Sequence, residues 1–312
     1  LVPTTDAQVN LILSGELDVM TDAPVTALPQ LQASRTHRVA HSPGAFIAYL
    51  LFNARSPDDT AKAHPILTDG RVREALALAL DRRRIAATSF GPSAQIPEGL
   101  RSQAWYWLGG ASVGGRLDST RALALLRAAG WRDSDRDGVL DKDGRALSLT
   151  LIYPVQSALF AGIAVQVQQM WRRFGINVVL EPIDGPVWFE RRRAGRFDID
   201  IVGVEQDPSP SSLSQSWSCA SARQTGSTNV GHWCDPEFDR LREGAPSAVD
   251  PDLAFRSALV RFGEWRPAIP FAPANRVVVH RRYDNVIVRP SRAWTELWRW
   301  RIRPGAELPR DR

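Results

Sequence analysis

Three groups of residues in this 312-residue chain have types and spacings that could do chemistry. The first is the run Asp133-Ser134-Asp135-Arg136-Asp137-Gly138-Val139-Leu140-Asp141. It matches the opening of a calcium loop, with carboxylates at the first, third and fifth positions, glycine at the sixth and an apolar residue at the eighth. Asp133, Asp135, Asp137, Val139 and Asp141 are therefore candidate calcium ligands. The twelfth position is Gly144, where a bidentate Glu is needed, so the competing reading is a solvated turn held by Asx hydrogen bonds. The second group is five histidines (His37, His41, His64, His232, His280) and two cysteines (Cys219, Cys234), whose spacing makes no zinc site. The third is basic: the net charge is +5, which in principle suits a nucleic-acid partner. Only Lys62 and Lys142 are lysines, and the arginines lie in short clusters rather than along one stripe, so no nucleic acid is expected. Catalysis finds no support either, because the chain has no Gly-x-Ser-x-Gly elbow, phosphate loop or His-Glu-x-x-His.

The elements that would position such residues are clearest between Ala146 and Val202. Leu147 to Tyr153 reads as a strand. Ala158 to Phe174 reads as a helix, with Leu159, Phe160, Ile163, Val167, Met170, Trp171 and Phe174 at helical spacing. Gly175 suits the left-handed position that closes it. A β-branched strand (176–180), a helix entered through Pro186 (187–194) and a strand (197–202) follow. This βαβαβ order predicts adjacent parallel strands, with a ligand crevice beyond their carboxyl ends. Upstream, helices are expected over 72–80, after Asp81, and from a Ser119 or Thr120 cap to Gly130. Downstream, Asp235-Pro236 and Asp250-Pro251 each combine a capping carboxylate with a proline suited to the first helical turn. After Trp265 short strands are expected at 276–280, 286–288 and 294–300. Among the eleven tryptophans, Trp105, Trp107, Trp188, Trp217 and Trp233 are expected near loops or the crevice, and Trp131, Trp171 and Trp265 in the core.

Composition agrees with a folded α/β protein. Hydrophobic residues are 44% and charged residues 23%, and no apolar run approaches the roughly 18 residues of a membrane span. Leu1 to Asp6 has neither an initiator Met nor a signal-peptide pattern, so the chain is expected to be processed or to lack its beginning.

The order of several segments resembles a known family, the periplasmic or lipoprotein solute-binding proteins of ABC peptide importers, family 5. Ser14–Met20 (SGELDVM) resembles its "aGeiDv" element. Leu50–Pro57 with Asp69–Ala86 resembles its "fN…DvRvRqAlalAiDre" signature. Ala122–Trp131 resembles "aklLaeAGw", Val187–Gly203 resembles "fDa…gw" with its preceding helix, and Gly231–Leu241 resembles "ycnpevDaL". The resemblance implies a type II periplasmic-binding-protein fold with mixed-sheet lobes, of which mostly the C-terminal lobe is present. The remnant of the first lobe would be 1–48, the second lobe 49–274 and the return segment 275–312. Family chains are longer, so Leu1 would lie well inside a full protein.

The resemblance also implies roles. Asp207, four residues after Gly203, would hold the free amine of a peptide, and Gly203, Val204, Glu205, Gln206 and Trp188 would stand around it. Val204 replaces the family's Trp. Dipeptide binders carry an Arg just after a Pro-Val-Gln segment, but here Pro154-Val155-Gln156 is followed by Ser157. A longer peptide, or a ligand without a carboxylate, is therefore expected. Related binders take nickel complexes or sugars, which is the alternative. Members of the dipeptide branch carry a cysteine pair in the 219–234 segment, so Cys219 and Cys234 are expected to form a disulfide, with two buried thiols as the other possibility. The implied setting is periplasmic or extracytoplasmic, the implied partners are a peptide and ABC permease subunits, and the implied state is a monomer. No cofactor is expected beyond the calcium candidate.

Overall fold

A computed structural model describes residues 4–21, 23–43, 46–92, 94, 96, 116–205, 215–224, 226–271, 274–288 and 294–311. Helix α1 (Thr5–Ser14) starts where the Thr4 hydroxyl accepts the Ala7 N–H and stops at Gly15, which takes the left-handed φ of 81°. Strand β1 (Val19–Thr21), helix α2 (Leu28–Gln32) and strands β2 (His37–Pro43) and β3 (Phe46–Phe52) follow. Three helices come next, α3 (Gly70–Leu78), α4 (Arg82–Phe90) and α5 (Ser119–Ala128). A short hairpin, β4 (Asp141–Lys142) and β5 (Arg145–Ala146), opens the alternating region β6 (Ser148–Pro154), α6 (Ala158–Arg172), β7 (Asn177–Ile183), α7 (Gly185–Arg193) and β8 (Ile199–Glu205). Helices α8 (Cys219–Arg223), α9 (Pro236–Gly244) and α10 (Pro251–Trp265) lead to β9 (Ala268–Phe271) and β10 (Ala274–His280). The pair β11 (Tyr283–Asp284) and β12 (Arg301–Ile302) comes last.

The larger sheet has five strands in the order β7-β6-β8-β3-β9. β6 is parallel to both β7 and β8, as the βαβαβ pattern predicts, and β3 is antiparallel to β8 and β9. A second sheet of three strands, β1-β10-β2, is antiparallel throughout. β2 pairs with β10 in one sheet, while β3 and β9, next to them in the chain, pair in the other. The chain thus passes from one sheet to the other between β2 and β3 and back between β9 and β10.

The large sheet is stabilised by helices with one apolar face each. In α6 the buried residues Ile163, Ala164, Val167 and Trp171 recur at helical spacing. Trp171 is fully buried and its indole N–H donates to the Leu76 carbonyl at 2.9 Å, joining α6 to α3. Burial of each large apolar side chain contributes about 1.5–3 kcal/mol. The three-stranded sheet carries two smaller clusters, Val9, Ile12, Met20, Ala23, Ala27, Leu31 and Val278 on one side and Val277, Val279 and Trp300 on the other.

Local signals were met in most places. Asp81, Asp235 and Asp250 cap α4, α9 and α10 as expected. The cap of α5 is Asp118, not Ser119 or Thr120: its carboxylate takes the Arg121 N–H at 2.9 Å. The strand expected at 294–300 is instead a run of tight turns. Leu297, Arg299 and Trp300 donate to carbonyls three residues back, which folds Trp294 to within 6.0 Å of Trp300. Val286 and Val288 form no strand and pack against Val277, Val279 and Trp300.

Candidate functional site

Burial falls off along the parallel strands toward their carboxyl ends. Leu151, Ile152, Ile199, Asp200 and Ile201 are buried, whereas Pro154, Ile183, Gly203 and Val204 are half-buried and Val155 and Gln156 are exposed. The connections at this end are tied to one another. The Val155 N–H donates to the Ile183 carbonyl at 2.8 Å, and the Gln156 amide donates to the Asp184 carboxylate at 2.8 Å. Ser157 accepts the Phe160 N–H at 3.2 Å and so caps α6. A serine at this position is occupied in starting a helix and brings no positive charge.

The residues expected around a ligand amine have different surroundings. Asp207 and Gln206 lie outside the described residues. Glu205 ends β8, its backbone in register with Phe46. Gly203 cannot be larger: an added Cβ would come within 2.6 Å of the Phe46 ring and 2.9 Å of the Phe160 ring. Val204 is half-buried, in register with Ile47. Trp188, expected at the crevice, is only 7% exposed. Its N–H donates to Asp200 Oδ1 at 2.8 Å, and the Arg192 guanidinium lies 4.4 Å above its ring. Arg192 also donates to Asp200 Oδ2 at 2.5 Å. Burial pushes the Asp200 carboxyl up to about 6, although Arg192 and the Trp188 N–H pull the other way.

Sequence reasoning missed Tyr49. It lies on β3 and lines a hollow with Leu51, Ser216, Trp217, Thr228, Asn229, Val230 and Gly231. Burial pushes its phenol up to about 12. β3 is a continuous apolar run buried from Ile47 to Phe52, and the signal is Tyr49 as the one residue in it that carries a hydroxyl.

The wall beyond this hollow is fastened by the Cys219–Cys234 disulfide. It is also anchored without sulfur. The Asn229 amide donates to the Ser218 and Trp233 carbonyls, and the Trp233 N–H of the indole donates to the Phe52 carbonyl. Gly231 sits so close to β3 that a Cβ there would meet the Phe52 carbonyl oxygen at 2.8 Å.

Of the five residues expected to bind calcium, Asp133, Asp135 and Asp137 bring carboxylate oxygens within 4.8 Å of one another, all exposed. Asp141 is turned away to Ser134, whose N–H and hydroxyl hold its carboxyl below the ordinary range. The Val139 N–H donates to Asp137 at 2.7 Å, the Asx pattern of a self-supporting turn.

Comparison with known proteins gives a consistent result. The family described as bacterial extracellular solute-binding proteins, family 5 Middle, matches residues 1–226. The probable ABC transporter periplasmic-binding protein SapA of Escherichia coli is 26% identical over 283 residues, 88% of this chain and 47% of that protein. The oligopeptide-binding protein AppA of Bacillus subtilis is 26% identical over 206 residues, covering 65% of this chain and 36% of that protein. The chain thus spans about half, or less, of the length of these relatives. Among solved structures, AppA of Bacillus subtilis in complex with a nonapeptide superposes with a TM-score of 0.78 at 20% identity, over 97% of this chain and 59% of that one. NikA of Brucella suis in complex with Fe(III)-EDTA gives 0.76 at 19% identity, over 92% and 57%. These likenesses show the fold.

Proposed function

The chain belongs to the bacterial extracellular solute-binding proteins of family 5, and on that premise we propose that it captures peptides for an ABC importer by closure of two lobes. It does no covalent chemistry in this reading. The observation that carries it is the half-buried carboxyl end of three parallel strands, from which β8 leads toward Asp207. A carboxylate there would accept a charge-assisted hydrogen bond from a peptide's terminal ammonium. Relatives named as oligopeptide-binding proteins point the same way.

The two passages between the sheets, from β2 to β3 and from β9 to β10, are the hinge in this proposal. The lobes expected at 1–48 with 275–312 and at 49–274 shift slightly in this reading, because Phe46–Ala48 pair within the large sheet and Ala274 pairs within the small one. Because Ser157 caps α6, nothing at that position grips a carboxylate two residues from the amine, and peptides longer than two residues are the preferred cargo. The protein acts as a monomer outside the cytoplasm and delivers its load to permease subunits.

Calorimetry on the intact protein tests this. A tetrapeptide and a nonapeptide should bind, an amino-terminally acetylated version should bind weakly, and Asp207→Asn should weaken binding about 10- to 100-fold, the equivalent of a charged hydrogen bond worth about 1.5–3 kcal/mol. Tight binding of a nickel chelate with no binding of peptides would replace this reading with the metal-complex alternative.

A further inference from the structure

The carboxyl end of the sheet holds one feature that the amine-binding scheme does not use. Phe46, the first residue of β3 after a crossing between the sheets, and Phe160, in the first turn of α6, both aim their ring tips at the space above Gly203. The two rings come from opposite sides of β8 and stop where a side chain at 203 would begin, since a Cβ there would lie 2.6 Å from one ring and 2.9 Å from the other. Both rings remain half-buried although they pack against the main core. Leu159 beside them is half-buried as well. Ser157, the nearest polar side chain of the same turn, is committed to capping the helix.

We propose that Phe46 and Phe160 form an apolar subsite that receives a bulky apolar side chain near the amino end of the bound peptide. The proposal rests on the peptide reading above and adds which peptides are selected. Its physical basis is that ring surface left half-covered at the mouth of a closing crevice gains about 25 cal/mol for each Å² of apolar area that a ligand removes from water, whereas a lysine or glutamate side chain laid against the two rings would lose hydration. The residue it contacts is the first or second of the peptide, because Gly203 is four residues from Asp207 on the same segment. With valine at 204 in place of a large ring, discrimination at this end falls to the pair on the other face of β8.

The test is calorimetry on the intact protein with tetrapeptides that differ at position one or two only, carrying Ala, Leu, Phe or Lys. The wild type should bind the Leu and Phe peptides at least tenfold more tightly than the Ala or Lys peptides at one of the two positions. Phe160→Ala should reduce that preference below threefold while leaving affinity for the Ala peptide within threefold, and Phe160→Leu should restore most of the preference. Circular dichroism and the melting temperature establish that each variant is folded. If Phe160→Ala unfolds the protein, Phe46→Leu with Phe160→Leu replaces it and should lower the preference for Phe over Leu. A wild type that binds all these peptides equally, or a folded Phe160→Ala that keeps its preference, overturns the subsite and leaves the peptide reading intact. A wild type that binds none of them overturns both.

Discussion

The five-stranded and three-stranded sheets are built on different physical terms. The larger one lies in a continuous apolar core and admits few charges: Asp200 is fully buried and answered by Arg192, and Arg73 is answered by the carbonyls of Leu67, Thr68, Trp265 and Arg266. The smaller one has thin apolar clusters and is held at its end by a network of ions. Arg282, 3% exposed, donates to Asp18 at 2.5 Å and to Asp311, while Arg310 also reaches Asp18 at 3.0 Å. Beside them His37 and His280 meet edge to face at 4.7 Å. Stability from apolar burial is insensitive to pH and salt, whereas stability from exposed or half-exposed ions is not. The two sheets should therefore fail under different conditions.

The sharpest way to probe that contrast is Trp171→Ala, which removes a fully buried ring and the α6 to α3 hydrogen bond. It should cost about 4 kcal/mol in urea unfolding. A loss below about 1 kcal/mol would mean that the large core is not the source of stability assumed here. Next, reduction of Cys219–Cys234, or Cys219→Ser with Cys234→Ser, should cost close to 3 kcal/mol in the chain-entropy model, and less if Asn229 and Trp233 already hold the segment. Proteolysis at 219–234 under reducing conditions separates those cases. Arg282→Ala should cost about 2 kcal/mol, the scale of a charged hydrogen bond, and act on the small sheet alone. Hydrogen exchange should then rise in β1, β2 and β10 while β6 and β8 keep their protection. Equal loss in both sheets would abolish the contrast.

The smallest expected effect is pH, and its sign differs between the sheets. Burial lowers the pKa of His37 and of His280 below 6.5, His280 further through its neighbour His37. The unfolded chain then binds more protons than the folded one, so the small sheet weakens as pH drops below 6.5. Asp18 adds to this in more acidic solution: burial would raise its carboxyl, but Arg282 and Arg310 outweigh that and hold it below 3.8. Its contribution is present above the unfolded value and fades as pH falls through the folded one. Asp200 has the opposite sense. Its folded pKa of about 6 lies above the ordinary aspartate value of 3.8, so the folded state takes up the proton first and the large sheet gains as pH falls from 6 toward 4. Hydrogen exchange at pH 7.5 and 5.0 should show protection lost in β2 and β10 and kept or improved in β8. A parallel loss in both would contradict the assignment.

The parallel core was legible because its signals are local. The helical spacing of Ile163, Val167 and Trp171, the caps Asp81, Asp235 and Asp250, and Gly175 at φ 73° each depend on a few neighbouring residues. The three-stranded sheet was far less legible, because pairing β2 with β10 joins residues more than 230 positions apart and neither strand has a clean alternation. The 294–300 segment misled for a related reason. Tryptophan-rich composition favours strands on average, but with so little sheet to join, hydrogen bonds three residues back prevailed. At the site, Gly203 was named for its place in a motif, and the rings that crowd it were invisible until β3 and α6 were set beside β8. Trp188 was read as a wall because tryptophan often is one. Its burial follows from Asp200, a carboxylate on an inner strand that requires a donor.

The two passages between the sheets run beside each other, because β2 pairs with β10 and β3 with β9. Pro43 stands opposite Ala274 at the end of one ladder, and Ala48 opposite Phe271 at the start of the next. The two strands that leave one sheet as partners are thus followed by strands that sit as neighbours in the other, so neither sheet is joined to the rest of the chain by one isolated strand.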